Sequence, residues 1–186
     1  LLQNIVLNKP GIKYYFNKIK QKSEDSEEQE KEFEMPGFSY CKTENGFEIY
    51  QNDYFLPMGF AYDKFITEEN LEDKQNSVRE KMLIHALILN EEQKAKYQEI
   101  LTEIQDTSEV TLTKQSYLTA CEAHRQEACH DFVYDSKGFS AGIDLENPKL
   151  IFFSVPYDDG WTAEINGNPV EIENVSGGFM AVRCEA

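Results

Sequence analysis

The alternation of apolar and polar residues is clearest in the last part of the chain, residues 130–186. Short apolar runs there are separated by turn residues, among them Asn166-Gly167 and Gly177-Gly178, at a spacing of roughly 8–12 residues. Such spacing is typical of an antiparallel sandwich or barrel. The run 150–155 is apolar at both odd and even positions, so we expect a central strand covered on both faces.

The first part of the chain, residues 1–63, also predicts strands. Asn45-Gly46 lies between two runs of alternating apolar residues, which is a strong signal for a β-hairpin. The run 55–62 is apolar but contains Pro57, which lacks a backbone donor, so we expect it at an edge or a bulge. Residues 20–34 are almost wholly charged residues, Gln or Ser, and predict a solvated acidic loop.

The middle part, residues 67–128, changes to a helical period. Thr67 followed by acidic residues is a helix start signal, because the hydroxyl caps the first turn and the acids suit the helix dipole. Apolar residues then recur at helical spacing in three stretches, at 78–89, 91–104 and 114–127. This part therefore predicts an insertion of two to three helices.

Together these patterns predict an α+β fold within a single domain, 1–186. Its main body is a mainly antiparallel, jelly-roll-like β-sandwich that the strands of 1–63 and 130–186 form together. The helical insertion, 67–128, packs on the sheet or caps its end.

Composition narrows the possible partners. The chain has 186 residues, with 18 Lys and Arg against 34 Asp and Glu, so its formal net charge is −16. A negative field of this size repels phosphate backbones, and we therefore expect no nucleic-acid partner. No apolar run approaches the ~20 residues that a membrane-spanning helix needs. The sequence starts at Leu1 without an initiating Met, so we expect a fragment of a longer protein.

The cysteines and histidines do not have the spacing of a metal site. Cys121 and Cys129 lie near His124 and His130, but the paired-ligand spacing of structural zinc sites is missing. We therefore predict no metal and no other cofactor. Two interpretations of the thiols stay open: they are packing residues, or Cys121 and Cys129 form one disulfide bridge.

Sequence motifs for catalysis are also missing. The chain contains no G-x-S-x-G nucleophile elbow and no glycine-rich phosphate loop. His124 has no Ser or Cys partner by motif and is best explained as a packing residue of a helix. Asp158 and Asp159 are adjacent in a predicted turn, where their side chains point apart, whereas glycoside chemistry needs two acids on opposite sides of one bond. We therefore assign no catalytic residue.

A family resemblance is carried by the C-terminal strands. Its most specific part is the segment Ser154-Val155-Pro156-Tyr157-Asp158-Asp159-Gly160-Trp161, followed by Ile165-Asn166-Gly167 and by Gly177-Gly178-Phe179-Met180. Weaker matches lie upstream at Lys13-Tyr14-Tyr15 and in 50–62. In order and spacing, these segments resemble the C-terminal extracytoplasmic region of the YfhO family of bacterial membrane proteins.

The resemblance implies a place and a role for the chain. Proteins of this family are polytopic, resemble glycosyltransferases that use lipid-linked sugars, and are tied to glycosylation of cell-surface polymers such as lipoteichoic acid. Their catalytic acids are expected between early membrane spans, upstream of this chain. The resemblance thus implies a non-catalytic accessory domain on the extracytoplasmic face of the bacterial cell membrane, which membrane spans of the parent protein hold in place. It also implies that the sheet is truncated before its last strand.

Four residues are candidates for contact with a cell-envelope glycan: Tyr157, Trp161, Asp158 and Asp159. Aromatic rings often pack against the C–H faces of sugars, which suits the family context. A lone Trp at the start of a strand is more often a core plug, so packing is favoured for Trp161. For Tyr157 both interpretations stay open, and for the two Asp residues a turn role is favoured.

Two other functions compete with the accessory domain. The first is a stand-alone carbohydrate-binding β-sandwich module, and the second is a soluble hydrolase, for which the sequence offers no convergent pair of acids. The charge of −16 argues against direct binding of a polyanion such as teichoic acid unless a cation bridges the two.

Overall fold

The computed structural model of the protein describes residues 12–19 and 37–186. The predicted acidic loop, 20–34, lies outside the described residues. The chain divides into two compact units, with the division between Phe55 and Leu56. They are called the N-terminal unit and the C-terminal unit below. The single domain expected over 1–186 stays a prediction.

The N-terminal unit contains a three-stranded antiparallel sheet in the order β1-β3-β2. Its strands are β1 (Tyr14–Lys18), β2 (Phe38–Glu44) and β3 (Phe47–Asn52). Asn45 and Gly46 join β2 to β3 with φ angles of 51° and 78°. Two successive positive φ angles are what a type I′ turn requires, so the hairpin predicted from Asn-Gly is confirmed.

The C-terminal unit contains three helices and the remaining strands. The helices are α1 (Asn76–Met82), α2 (Glu91–Tyr97) and α3 (Lys114–Gln126). The strands are β4 (Gly59–Tyr62), β5 (Lys64–Thr67), β6 (Leu87–Leu89), β7 (Thr102–Glu103), β8 (His130–Tyr134), β9 (Phe139–Gly142), β10 (Lys149–Pro156), β11 (Ala163–Ile165), β12 (Asn168–Val170), β13 (Ile172–Val175) and β14 (Phe179–Cys184). The predicted α+β fold, with mainly antiparallel strands and two to three helices, is confirmed, and the number of helices is three.

The main sheet of this unit is antiparallel, in the order β13-β14-β10-β4. Strand β10 lies inside it, with Ile151 opposite Ala61 of β4 on one side and opposite Val182 of β14 on the other. Leu150 and Ile151 point to opposite faces of the sheet, and both are buried. The prediction of a central strand at 150–155 is confirmed. Burial on both faces holds for Leu150 and Ile151, whereas Ser154 farther along the strand is exposed.

The sequence predicted two long helices in 78–104, and the structure differs from this prediction. Helix α1 ends at Met82 and α2 at Tyr97, and each is followed by a short strand. These strands, β6 and β7, pair in parallel with β5 in the order β6-β5-β7. The error has a physical source, because a short apolar run such as Leu87-Ile88-Leu89 fits a buried helix and a buried strand equally well. Backbone pairing with β5 makes this run a strand, and the sequence pattern does not reveal that pairing.

A hydrophobic core of the C-terminal unit surrounds this parallel sheet. One core cluster joins β5, α1 and β6 to the segment after β7, and its buried members are Ile66, Leu71, Met82, Ala86, Ile88 and Ile104. The connection from β5 through α1 to β6 is therefore a packed parallel crossover.

None of the helices in the described residues is long and apolar enough to cross a membrane.

Gly59, the first residue of β4, marks a close approach within the main sheet. A Cβ atom at this position would lie 2.6 Å from Cε1 of Phe153 and 2.8 Å from Sγ of Cys129. Because Gly59 is buried and Phe153 also packs against Phe139, the neighbours have little room to move.

We therefore expect Gly59→Ala to lower the free energy of unfolding by about 1–3 kcal/mol, through overpacking. The matched control is Gly138→Ala, whose Cβ would lie 3.4 Å from the Trp161 ring, an ordinary contact. This control should change the free energy of unfolding by less than about 1 kcal/mol. Urea unfolding of both variants measures the difference, and equal effects would contradict the overpacking.

Candidate functional site

A groove of about 510 Å³ lies in the C-terminal unit, between the start of α2 and the turn that joins β13 to β14. Its walls carry amide, carboxylate and ammonium groups and one aromatic ring. The lining residues are Glu68, Asn90, Glu92, Gln93, Lys96, Tyr157, Glu171, Ile172, Glu173, Asn174, Gly177 and Gly178. The groove is thus a polar surface with a single aromatic side chain, Tyr157.

The sequence of α2 determines which side chains line one wall. Asn90 caps the helix by accepting a hydrogen bond from the backbone of Gln93 at 2.9 Å, and the Gln93 side chain accepts one from the Asn90 backbone at 3.2 Å. This capping box fixes the first turn of the helix. Lys96 lies three residues after Gln93 and therefore on the same face, directed at β13.

The opposite wall is formed by β13, where Glu173 is only 8% exposed. The amide of Gln93 donates hydrogen bonds to Oε2 of Glu173 and to the carbonyl oxygen of Asn174, both at 2.9 Å. The hydroxyl of Tyr97 and the ammonium of Lys96 both donate to Oε1 of Glu173. One buried carboxylate therefore accepts three side-chain hydrogen bonds from a single helix.

These contacts displace the pKa values of the groups involved. Burial opposes ionisation of Glu173, but the hydrogen bonds from Lys96, Tyr97 and Gln93 outweigh it and hold the pKa of this carboxyl below its ordinary value. Burial, together with the hydrogen bond to Glu173, raises the pKa of Tyr97 to about 12. Burial lowers the pKa of Lys96, but the carboxylates of Glu171 and Glu173 more than compensate, so the pKa of Lys96 is raised. Glu173 is therefore a charged acceptor that is already engaged.

Tyr157 follows β10 and forms the aromatic part of the groove. Its backbone N–H donates to the carbonyl oxygen of Gly178 at 2.9 Å, which ties the end of β10 to the turn after β13. That turn has positive φ angles at Ser176, Gly177 and Gly178 and is held to β6 by hydrogen bonds between Ser176 and Ile88. The turn thus connects the groove with the parallel sheet.

The two predicted acids, Asp158 and Asp159, occupy the turn that follows Tyr157. The carboxylate of Asp158 accepts the N–H of Gly160 at 2.8 Å, and its carbonyl oxygen accepts the N–H of Trp161 at 3.1 Å. A hydrogen bond to Asp159 raises the pKa of the Tyr157 hydroxyl. The Asp158 carboxylate thus serves the turn, and that of Asp159 is a partner of Tyr157.

Trp161, the fourth predicted residue, does not line the groove. Its ring packs edge-on against Phe139 of β9, with 6.2 Å between the ring centroids. Of the four candidates, Tyr157 is therefore the one that the fold brings to Glu173 and Lys96. The sequence analysis missed Gln93, Lys96, Glu171 and Glu173, although the Asn90-x-x-Gln93 capping box was a visible signal for the start of α2.

His124, Cys121 and Cys129 lie elsewhere in the C-terminal unit. The ring of His124 packs between Phe60 and Tyr62, and its two nitrogens each lie 2.8 Å from a backbone carbonyl oxygen. Cys121 and Cys129 are free, buried thiols, and burial raises the pKa of both to about 11. Of the two interpretations left open by the sequence, the structure agrees with packing thiols rather than with a bridge between Cys121 and Cys129. Within 12–19 and 37–186, no group of three or more His, Cys, Asp or Glu residues is placed to hold a metal ion.

A family model described as bacterial membrane protein YfhO matches residues 10–130 and 101–186. The chain belongs to the YfhO family. The resemblance inferred from the C-terminal segments is confirmed, and the groove lies in a domain of a bacterial membrane protein. No curated protein and no solved structure shows significant similarity to this YfhO chain.

We expect Glu173 to make the stability of this YfhO domain depend on acid pH. Because the pKa of Glu173 is lowered in the folded state, its contribution is present above its ordinary value of 4.5 and is lost as the pH falls through the folded-state value. Glu173→Gln should lower the free energy of unfolding at pH 7 by about 1–3 kcal/mol and flatten the loss of stability below pH 4.5.

The matched control is Glu171→Gln, since Glu171 is the other carboxylate on Lys96 but its side chain is 70% exposed. This change should cost less than about 0.5 kcal/mol. Urea unfolding over a pH series measures both variants. If the free energy of unfolding of Glu173→Gln fell below pH 4.5 as steeply as that of the unchanged protein, the buried carboxylate would not stabilise the fold.

Proposed function

We propose that the chain is a non-catalytic accessory domain on the extracytoplasmic face of a polytopic bacterial membrane protein. Membership of the YfhO family is the observation that carries the proposal, because it places the chain in a membrane protein. In this proposal, membrane spans of the parent protein hold the domain at the bilayer. The parent resembles glycosyltransferases that use lipid-linked sugars, and the domain positions a cell-surface polymer for it.

The chemistry of the groove supports a binding role better than a catalytic one. Hydrolysis of a glycosidic bond needs one carboxyl group that holds a proton and a second that is free to act on the opposite side. Glu173 has a lowered pKa, and its oxygens are occupied by Lys96, Tyr97 and Gln93. Such a carboxylate is suited to accept hydrogen bonds in a fixed position and not to donate a proton to a leaving group.

The extracytoplasmic location can be tested through Cys41, which is an exposed thiol on β2. We expect a membrane-impermeant maleimide to label the parent protein at Cys41 in intact cells. Labelling before and after lysis, with Cys41→Ser as the matched control, isolates this site from every other thiol. If the difference between the two proteins appeared only after lysis, the domain would lie on the cytoplasmic side.

A second function, recognition of a neutral sugar, is favoured by the position of Tyr157. Its ring lies in a groove with amide and ammonium donors on α2 and carboxylate acceptors on β13. Sugar hydroxyls both donate and accept hydrogen bonds, so a wall of mixed donors and acceptors beside an aromatic ring suits them. In this proposal Asp159 orients the Tyr157 hydroxyl, Asp158 shapes the turn, and Trp161 supports the fold.

The charges of the groove decide which sugars fit. Four carboxylates, Glu68, Glu92, Glu171 and Glu173, line it together with the ammonium of Lys96. The excess of negative charge repels phosphate and carboxylate groups of a ligand. We therefore propose that the domain contacts the uncharged sugar units of a cell-envelope polymer rather than an anionic backbone.

We expect the 186-residue chain to bind neutral oligosaccharides of glucose, galactose or N-acetylglucosamine, as measured by isothermal titration calorimetry. Tyr157→Ala should weaken the binding at least about tenfold, because the stacking surface is lost. Tyr134→Ala is the matched control, since Tyr134 is an exposed tyrosine outside the groove. Glucose 6-phosphate should bind more weakly than glucose. Equal losses in the two variants would contradict recognition in the groove.

A further inference from the structure

His124 of α3 lies between two hydrogen-bond acceptors that a neutral ring cannot both satisfy. Its Nδ1 is 2.8 Å from the carbonyl oxygen of Ala61 on β4, and its Nε2 is 2.8 Å from that of Ile84, between α1 and β6. A neutral imidazole has one N–H and one bare nitrogen, and a carbonyl oxygen only accepts. In the neutral ring one nitrogen lone pair therefore faces an oxygen lone pair. Only the imidazolium, with two N–H groups, donates to both.

The nearest neighbours of the His124 ring are aromatic. The centroids of the Phe60 and Tyr62 rings lie 4.6 and 4.5 Å from that of His124, within the ~6 Å range of a cation–π attraction. Burial raises the pKa of the Tyr62 hydroxyl and of the Cys121 thiol, which lies three residues before His124 on α3. The two rings therefore attract an imidazolium, but neither the hydroxyl nor the thiol supplies it with a negative charge.

The charged groups around this histidine act in both directions. The carboxylates of Asp63 and Glu127 favour a positive ring, although Lys149 is paired with both of them. A charge on His85 would oppose one on the ring, and burial, the ring itself and Lys64 all lower the pKa of His85. Burial has the largest effect on the ring, whose residue is only 9% exposed, and holds its pKa below the ordinary value of 6.5. The ring is therefore neutral at pH 7.

The two carbonyl groups differ in how firmly the backbone holds them. Ala61 lies inside the main sheet, where it pairs with Ile151 of β10 and donates its N–H to the carbonyl oxygen of Glu127. Ile84 lies in the connection between α1 and β6, outside any helix or strand. Of the two bonds to the ring, the one to Ala61 is thus the better anchored.

We propose that His124 is a proton-controlled link between β4 and the connection that leads into β6. In the neutral form Nδ1–H donates to Ala61, and the carbonyl oxygen of Ile84 turns away from the bare Nε2. When the ring binds a second proton, Nε2–H donates to Ile84 and the link is complete. The hydroxyl of Tyr62 donates to the adjacent Leu83 carbonyl, so the change is a rotation of one peptide group and not a release of the whole connection.

The link also has a consequence for stability. Because the pKa of His124 is lowered in the folded state, the contribution of the neutral ring to stability is present above pH 6.5 and is lost as the pH falls through the folded-state value. The completed link therefore forms in a less stable fold, which is the balance between two gained hydrogen-bond donors and one buried charge.

Nuclear magnetic resonance of the isotope-labelled 186-residue chain tests the link atom by atom. At about pH 8, above the ordinary pKa of histidine, we expect His124 to be the Nδ1–H tautomer. On acidification Nε2 should gain its proton with a midpoint below 6.5, and the carbonyl carbon of Ile84 should shift downfield at the same midpoint, because its oxygen then accepts a hydrogen bond. The carbonyl carbon of Ala61 should shift less, since it keeps its donor throughout.

The other two of the three histidines provide matched controls. His85→Gln removes the titrating group next to Ile84 and should leave the shift of the Ile84 carbonyl in place. His130→Gln removes an exposed histidine, whose pKa is raised by a hydrogen bond to Asp131, and should also leave it in place. His124→Gln should abolish it. Circular dichroism confirms that each variant is folded before the shifts are compared.

Three results would overturn the proposal. His124 could stay neutral until acid unfolds the chain, or it could be the Nε2–H tautomer at neutral pH with an Ile84 carbonyl that does not respond to acid. The Ile84 shift could also disappear in His85→Gln. All three are read without His124→Gln, so a folding defect in that variant does not weaken the test. Because the groove takes no part in these measurements, failure here is distinguishable from failure of sugar binding.

Discussion

The candidate site depends on one buried carboxylate. Glu173 lies on β13 with only 8% of its surface exposed, and a charge there is tolerated because three donors from α2 meet it. The same contacts fix the helix against the sheet and hold Gln93 and Lys96 at the groove. Removing the charge therefore affects the position of α2 as well as the polarity of the wall. Stability and site geometry are properties of the same interaction.

The aromatic side of the groove depends on the register of the main sheet. The pairing of β10 with β14 shifts between Phe153 and Pro156, so the end of β10 departs from the regular ladder. Tyr157 is then held by its backbone hydrogen bond to Gly178, whose φ of 123° is accessible to glycine and strained for other residues. Helix α2 is thus bonded to β13, and the end of β10 is bonded to the turn that follows β13. A change in that turn would displace the ring from the polar wall.

The sequence predicted those parts of the fold that local chemistry controls. Asn45-Gly46 specified its hairpin because two adjacent positive φ angles suit few other residues, and the doubly apolar run 150–155 specified a central strand. Leu87-Ile88-Leu89 was misassigned because three apolar residues carry no distinguishable period, and pairing with the distant β5 determined the outcome. For the site, Tyr157 was visible through its motif. Glu173 was not, because its partners lie 76 to 80 residues away in the chain and only the fold brings them together.

The strong negative charge of the domain becomes consistent with a role at an anionic surface once distance is considered. Charges on a protein surface act over about 8 Å at physiological salt, so acidic groups repel only what comes within that range. Under the proposed function, a neutral sugar that branches from an anionic polymer would enter the groove while the phosphates of the backbone stay beyond this range. The carboxylates around the groove would then favour the tip of the branch over the polymer backbone that carries it. Negative charge at this site would act as a selector for uncharged ligand units.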